Sequence, residues 1–295
     1  MKVLVLGASG LIGSTIFVEL CLGTEWDVFG SVRHAGIKKA FSPDFAQQLI
    51  AGVDVEQPEA LVRVLDLSQP DVVINCVGLT KHQPTANDPL IAISMNTLFP
   101  HRLAAYCKLV RARLIHISTD CVFSGKKGNY SESDIVDALD VYGKSKALGE
   151  VNYPHAITLR TSTIGHELQS TDGLLNWFLS QQVSCRGFTR AVFSGLTTVE
   201  LARVIKELVI PRQDMRGLYH VAGVPISKYD LLKLIAQSYC KSIEVVSDDT
   251  LVIDRSLNAE RFRLETGYVA PDWPELIRQM NVSKGGGLNH EVQRY

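Results

Sequence analysis

The stretch Gly7-Ala8-Ser9-Gly10-Leu11-Ile12-Gly13 decides the fold. It follows an apolar run over 2–6 that is too short for a helix, and it precedes residues 11–22, whose apolar positions recur with helical period. Between a strand and a helix, glycines have a physical reading. Gly7 permits the tight turn, Gly10 lets the backbone approach a pyrophosphate, and Gly13 lets the helix pack close. The helix start adds unpaired N–H groups and a dipole that favours anionic oxygen. With Ser9, Leu11 and Ile12 these residues form a loop expected to hold a nicotinamide dinucleotide.

The same rhythm continues downstream. Strands are predicted over 27–32, 72–75, 113–118 and 156–159, and helices over 57–67, 89–110 and 139–151, with Pro100 kinking or dividing the long one. Repeated strand–helix–strand units with continuous apolar strands imply a parallel sheet covered on both faces. That is the doubly wound α/β (Rossmann) class, whose ligands sit beyond the carboxyl ends of the strands. Past residue 160 helical patterns dominate (173–183, 198–208, 228–239, 273–280), with short strands at 217–220 and 243–246. The expected organisation is a Rossmann domain over 1–160 and a smaller, helix-rich, mainly substrate-binding region over 161–295, some of whose segments return to the sheet. The last dozen residues, with Gly285-Gly286-Gly287, read as a flexible tail.

Composition narrows the function classes. A chain of 295 residues with 46% hydrophobic and 21% charged residues can bury a sizeable core. A net charge of −1 offers no broad attraction to nucleic acid or to an acidic membrane surface. No apolar run approaches the roughly 20 residues a membrane span needs, and glycines interrupt the N-terminal apolar stretch where a signal peptide would continue. The 6 cysteines are scattered, without a C-x-x-C pair or a histidine in ligand spacing, so no metal site is expected. Free thiols in a reducing cytoplasm are the consistent reading.

The end of the second strand bears on the choice of cofactor. An Asp or Glu there would accept from the adenosine ribose of NAD, whereas NADP needs a cation for its 2′-phosphate. The chain reads Gly30-Ser31-Val32-Arg33-His34, with no acid, and Arg33 could grip a phosphate with Ser31 assisting. The expectation is NADP(H), with NAD(H) as the second option; a solvated basic loop is the other reading of Arg33.

Tyr142-Gly143-Lys144-Ser145-Lys146 places Tyr142 and Lys146 on one helix face. A cation beside a phenol favours the phenolate, which turns a poor acid–base into a useful one. Just past a strand's carboxyl end lies Ser118-Thr119, and Thr119 is the better candidate to hydrogen-bond a substrate carbonyl; helix capping is the alternative for both residues.

Gly7–Gly13, Asn75-Cys76-Val77-Gly78, Met95-Asn96, the run from Ser118 to Gly125, Val141 to Lys146 and Leu159-Arg160-Thr161-Ser162 stand in one order. In that order the chain resembles the dTDP-4-dehydrorhamnose reductase group of the extended short-chain dehydrogenase/reductases. The resemblance implies hydride transfer from NADPH to a nucleotide-linked 4-keto sugar, with Thr119, Tyr142 and Lys146 as catalytic residues. Tyr142 would be the proton donor, and Tyr142 and Lys146 would also touch the cofactor. The resemblance places Asp54 and Val55 beside the adenine, and Cys76, Val77, Gly78 and Ser118 along the rest of the cofactor. Asn96 would help position Lys146 through water, or simply bond its local backbone. The chain departs from the group at Cys121, where a Tyr is usual, and at Lys81 and His82, which would sit near the sugar or the pyrophosphate. Arg160 and Arg190 are further candidate anion contacts. The same fold also serves sugar-nucleotide epimerases and dehydratases, and a non-catalytic binding role like that of the regulatory subunit of methionine adenosyltransferase. A homodimer is compatible with all of these.

Overall fold

The structure is a computed structural model that describes residues 1–81, 83–168 and 172–283. The expected tail and His82 lie outside the described residues. The first six strands are β1 (Lys2–Leu6), β2 (Asp27–Ser31), β3 (Leu49–Ile50), β4 (Val72–Asn75), β5 (Arg113–Thr119) and β6 (Ala156–Thr161). With the strand Gly217–His220 they form a 7-stranded sheet in the order Gly217–His220, β6, β5, β4, β1, β2, β3. Every pairing in it is parallel. This is the doubly wound α/β sheet the sequence predicts.

Continuous apolar strands are explained by burial on both faces. In β1, Val3 and Val5 enter one core with Ile74, Ile115 and Ile157, while Leu4 and Leu6 enter another with Val73, Leu114 and Ala156. Alternate side chains of each strand thus point into different cores. The chain runs outward from β1 to β2 and β3 in one direction and from β4 to β5 and β6 in the other. The crevice opens at this reversal, with Gly7 after β1 and Cys76 after β4 at its rim.

Past β6 the architecture is mixed. Short strands pair locally (Thr163–Ile164 with Leu196–Thr197, Ser184–Phe188 with Glu244–Asp248), while Gly217–His220 runs beside β6. Helices Leu174–Ser180, Thr198–Val204, Lys228–Ser238 and Trp273–Val282 lie where helical periodicity placed them. Among the described residues no helix is long and apolar enough to cross a membrane.

The long predicted helix differs in an informative way. It is made of three segments: Pro89–Ala92 passes through a π-helical turn, Ile93–Leu98, into Phe99–Leu109, with Pro100 in the first turn of the last. Leu98 and Phe99 keep right-handed helical angles. The wide turn immediately before the proline takes up the break in hydrogen bonding.

Gly13 is a steric requirement. A Cβ there would lie 2.2 Å from the carbonyl oxygen of Gly7, so the first helix, Leu11–Gly23, could not approach β1. Gly13→Ala should lower stability by about 2–3 kcal/mol in denaturant unfolding. Gly36→Ala, with nothing within 4 Å of the added methyl, should leave it nearly unchanged.

Candidate active site

The glycine turn is held from outside by β2. Gly7 has φ of +81°, its N–H donates to the Ser31 hydroxyl (3.2 Å), and Ala8 N–H donates to the Ser31 carbonyl (3.0 Å). Ser31 is 2% exposed, so its side chain shapes the turn, while Arg33 stands exposed just beyond. Gly10 precedes the first helix without any side-chain cap, and a Cβ on it would meet nothing nearer than 3.5 Å. The helix start therefore presents open N–H groups beside open space, the arrangement a pyrophosphate requires. Asp54 is half-buried, its carboxylate accepting from Glu56 N–H (3.1 Å), beside the buried Val55.

Across the crevice, the loop after β4 is fixed by two asparagines. Asn75 accepts from Val77 N–H (3.0 Å), and Asn96 accepts from Leu79 N–H (2.9 Å) while donating to the Ser145 hydroxyl (3.1 Å). Asn96 thus ties the loop directly to the helix Val141–Leu148, a role distinct from both sequence readings. A Cβ on Gly78 would lie 3.1 Å from Asn96 Oδ1 and 3.6 Å from Lys146 Nζ, so this loop passes against the lysine.

Thr119 ends β5, and the helix carrying Tyr142 and Lys146 begins after Asp140, whose carboxylate accepts from Gly143 N–H (2.7 Å). The Thr119 hydroxyl accepts from Cys121 N–H (3.1 Å) and donates to Asp120 (3.2 Å), and it lies within electrostatic reach of Tyr142. Tyr142 and Lys146 are buried, and the Lys146 ammonium donates to the Ile117 carbonyl (3.0 Å). The structure brings Thr119, Tyr142 and Lys146 together at the carboxyl edge of the sheet.

Burial pushes the Tyr142 phenol up; Cys121, Asp120 and Asp140 reinforce this and Thr119 opposes it, so the phenol is protonated at pH 7. The Lys146 ammonium is bonded to Ile117, and its field lowers Cys76 and His116. Burial pushes Lys146 down to about 8, against the opposing charge of Glu150.

Two candidate contacts face elsewhere. Ser118 donates to Glu150 (2.7 Å), so its hydroxyl is engaged behind the cleft. Arg160 is 4% exposed and grips Glu150 at both oxygens (2.7 Å each), so its guanidinium is unavailable to a cleft ligand. Lys81 pairs with Asp140 at the mouth (2.7 Å), and Arg190 is exposed. Sequence reasoning missed Arg255 and Lys228. Arg255 donates to the Phe123 carbonyl (2.7 Å) and stands 3.8 Å from Cys121 Sγ, 134 positions away in the chain. Lys228 is pushed down by burial within electrostatic reach of Asp120 and Cys121. No local pattern marks either residue; only the fold brings them to the site.

Sheet, glycine turn and the Thr119–Tyr142–Lys146 set are those of NAD(P)-dependent oxidoreductases of the extended short-chain dehydrogenase/reductase type. The family described as the RmlD substrate binding domain matches residues 1–251, and the chain belongs to that family. It is 26% identical to a dTDP-4-dehydrorhamnose reductase from Aggregatibacter actinomycetemcomitans, over 95% of this chain and 98% of the relative. It is 32% identical to methionine adenosyltransferase 2 subunit beta from Mus musculus, over 94% and 88% of the two chains. The fold is similar to the crystal structure of a dTDP-4-dehydrorhamnose reductase from Bacillus anthracis in complex with NADP, with a TM-score of 0.78, 20% identity, and coverage of 96% and 99%.

Behind the site, Arg160 donates to His220 Nε2 (3.2 Å), leaving Nδ1–H to face the Tyr130 carbonyl (3.0 Å). Burial and Arg160 push this imidazole down to about 4. The unfolded ring titrates near 6.5, so the unfolded state binds more protons between these values. Stability from the neutral ring is complete above pH 6.5 and is lost as pH falls toward 4, by up to about 3 kcal/mol. Denaturant midpoints should fall over this interval, and fall less in His220→Gln.

Proposed function

We propose that this chain is an NADPH-dependent reductase of a nucleotide-linked 4-keto sugar. The observation that carries the reading is the convergence of Thr119, a protonated Tyr142 and Lys146 at the sheet's carboxyl edge, across the crevice from the glycine turn. The residues present fit the cofactor. The open helix start at Gly10 suits a pyrophosphate, and exposed Arg33 suits a 2′-phosphate.

When bound, the nicotinamide supplies the hydride. The protein's part is positioning and proton chemistry. Thr119 and Tyr142 hydroxyls bond the ketone oxygen as it gains charge. Tyr142 gives its proton to that oxygen. Lys146 holds the ribose hydroxyls from the same helix face. Lys228 and Arg255, contributed by the C-terminal region, supply positive charge on the substrate side for an anionic nucleotide sugar.

Tyr142→Phe should reduce turnover by about 10²–10⁴-fold, with NADPH affinity changed less than about twofold. Undiminished consumption of NADPH by the variant, followed at 340 nm with dTDP-, UDP- and GDP-linked 4-keto sugars, removes Tyr142 from the mechanism. Arg33→Ala should weaken NADPH about tenfold or more and leave NADH affinity nearly unchanged. Equal loss for both nucleotides assigns Arg33 to the surface.

The likeness to methionine adenosyltransferase 2 subunit beta favours a second reading, an NADP-binding regulatory subunit. Stoichiometric oxidation of NADPH by a keto sugar decides for the reductase. Copurification with a partner enzyme, and no turnover of any keto sugar, decides for the subunit.

A further inference from the structure

The end of β5 holds the catalytic helix and the residues just past it at two successive positions. The Ile117 carbonyl takes the Lys146 ammonium (3.0 Å), and the Ser118 hydroxyl donates to Glu150 (2.7 Å). Glu150 stands four residues after Lys146, just past the helix end at Leu148. The intervening Gly149 allows this placement, because a Cβ on it would lie 1.8 Å from the Asn96 carbonyl oxygen.

Glu150 is held more firmly than helix capping requires. Ser118, Arg160 and His220 form one row across adjacent strands, with Arg160 opposite both Ser118 and His220. Arg160 binds both oxygens of Glu150 and donates to His220, and its guanidinium lies 5.1 Å from the centre of the Phe123 ring. Phe123 stacks in turn on Tyr130 at 4.1 Å. Arg160 and the Glu150 side chain are 4% and 12% exposed, so the carboxylate is fixed in a poorly solvated place. A bidentate pair of this kind has one geometry.

Lys146 is surrounded by few charges. From the loop after β4 comes the Cys76 thiol, pushed up to about 12 and so neutral. From β5 comes His116, kept neutral by burial and by Lys146 itself. From just past the end of its own helix comes Glu150, a negative charge that acts to keep the lysine protonated. The geometry points to Glu150, clamped by Ser118 and Arg160, as a positioning residue that holds Lys146 in register with Ile117 and keeps it cationic. This resolves the motif Leu159-Arg160-Thr161-Ser162, whose arginine has no place in the cleft. Only the consequence for cofactor affinity rests on the reading of Lys146 as the ribose-holding residue.

The test is the titration of Lys146 in protein carrying lysine labelled with ¹³C at Cε, its resonance assigned by its loss in Lys146→Arg. Glu150→Gln, nearly isosteric, should lower the midpoint by about one pH unit or more. An unchanged midpoint in Glu150→Gln overturns the inference. Should Glu150→Gln not fold, Glu150→Asp, which withdraws the charge by one methylene, should give a midpoint below wild type, and a wild-type midpoint overturns it. NADPH affinity, measured by fluorescence across the same pH range, should fall at a lower pH in Glu150→Gln. If the Lys146 midpoint moves as expected and NADPH affinity does not follow, the role of Glu150 stands and the ribose reading of Lys146 fails.

Discussion

The Gly7 carbonyl and the bare Cα of Gly13 set how closely the first helix can lie against β1, and that closeness defines the crevice. With any side chain at Gly13 the helix would be pushed off the sheet, and the open N–H groups after Gly10 would move with it. Gly30 repeats the constraint on the next strand, where a Cβ would lie 2.6 Å from Leu49 and 2.8 Å from Ala8. The turn is therefore clamped between two close-packed elements. A ligand meets a preformed cradle, and little ordering entropy remains to oppose binding.

The catalytic side depends on the turn only through the sheet. Parallel register carries β1 to β4 and β4 to β5, so the loop at Cys76 and the residues Ile117, Ser118 and Thr119 arrive at the same edge. Burial then does opposite things to the two titrating residues of the helix. It raises the phenol of Tyr142 and lowers the ammonium of Lys146, bringing the lysine to about 8. One fold environment thus favours the neutral form of both groups, the phenol through its proton and the amine through its loss.

Much of this was legible in the sequence because it is local. Period-two burial, helical spacing and the glycine turn each operate within a dozen residues, and the strands at Lys2–Leu6, Val72–Asn75 and Gly217–His220 lie where the apolar runs placed them. The spacing of Tyr142 and Lys146 is likewise a property of one helix. What failed to show was non-local. Arg160 has the composition of an anion contact, yet the row it shares with Ser118 and His220 makes it an internal partner of Glu150. Arg255 carries no motif at all and becomes a neighbour of Cys121 only through folding. Pro100 marked where the long helix changes, though the form of the change, a wider turn just before it, was not legible.

That wider turn also acts as a rotational gear. A helix of ordinary pitch advances by about 100° per residue, so the side chains on either side of Ile93–Leu98 are phased differently from those of a continuous α-helix. The wider turn winds less per residue, and Asn96 within it bonds Leu79 in the loop after β4 and Ser145 on the helix Val141–Leu148. The alignment of the two walls is thus encoded in a count of residues, as well as in their kind.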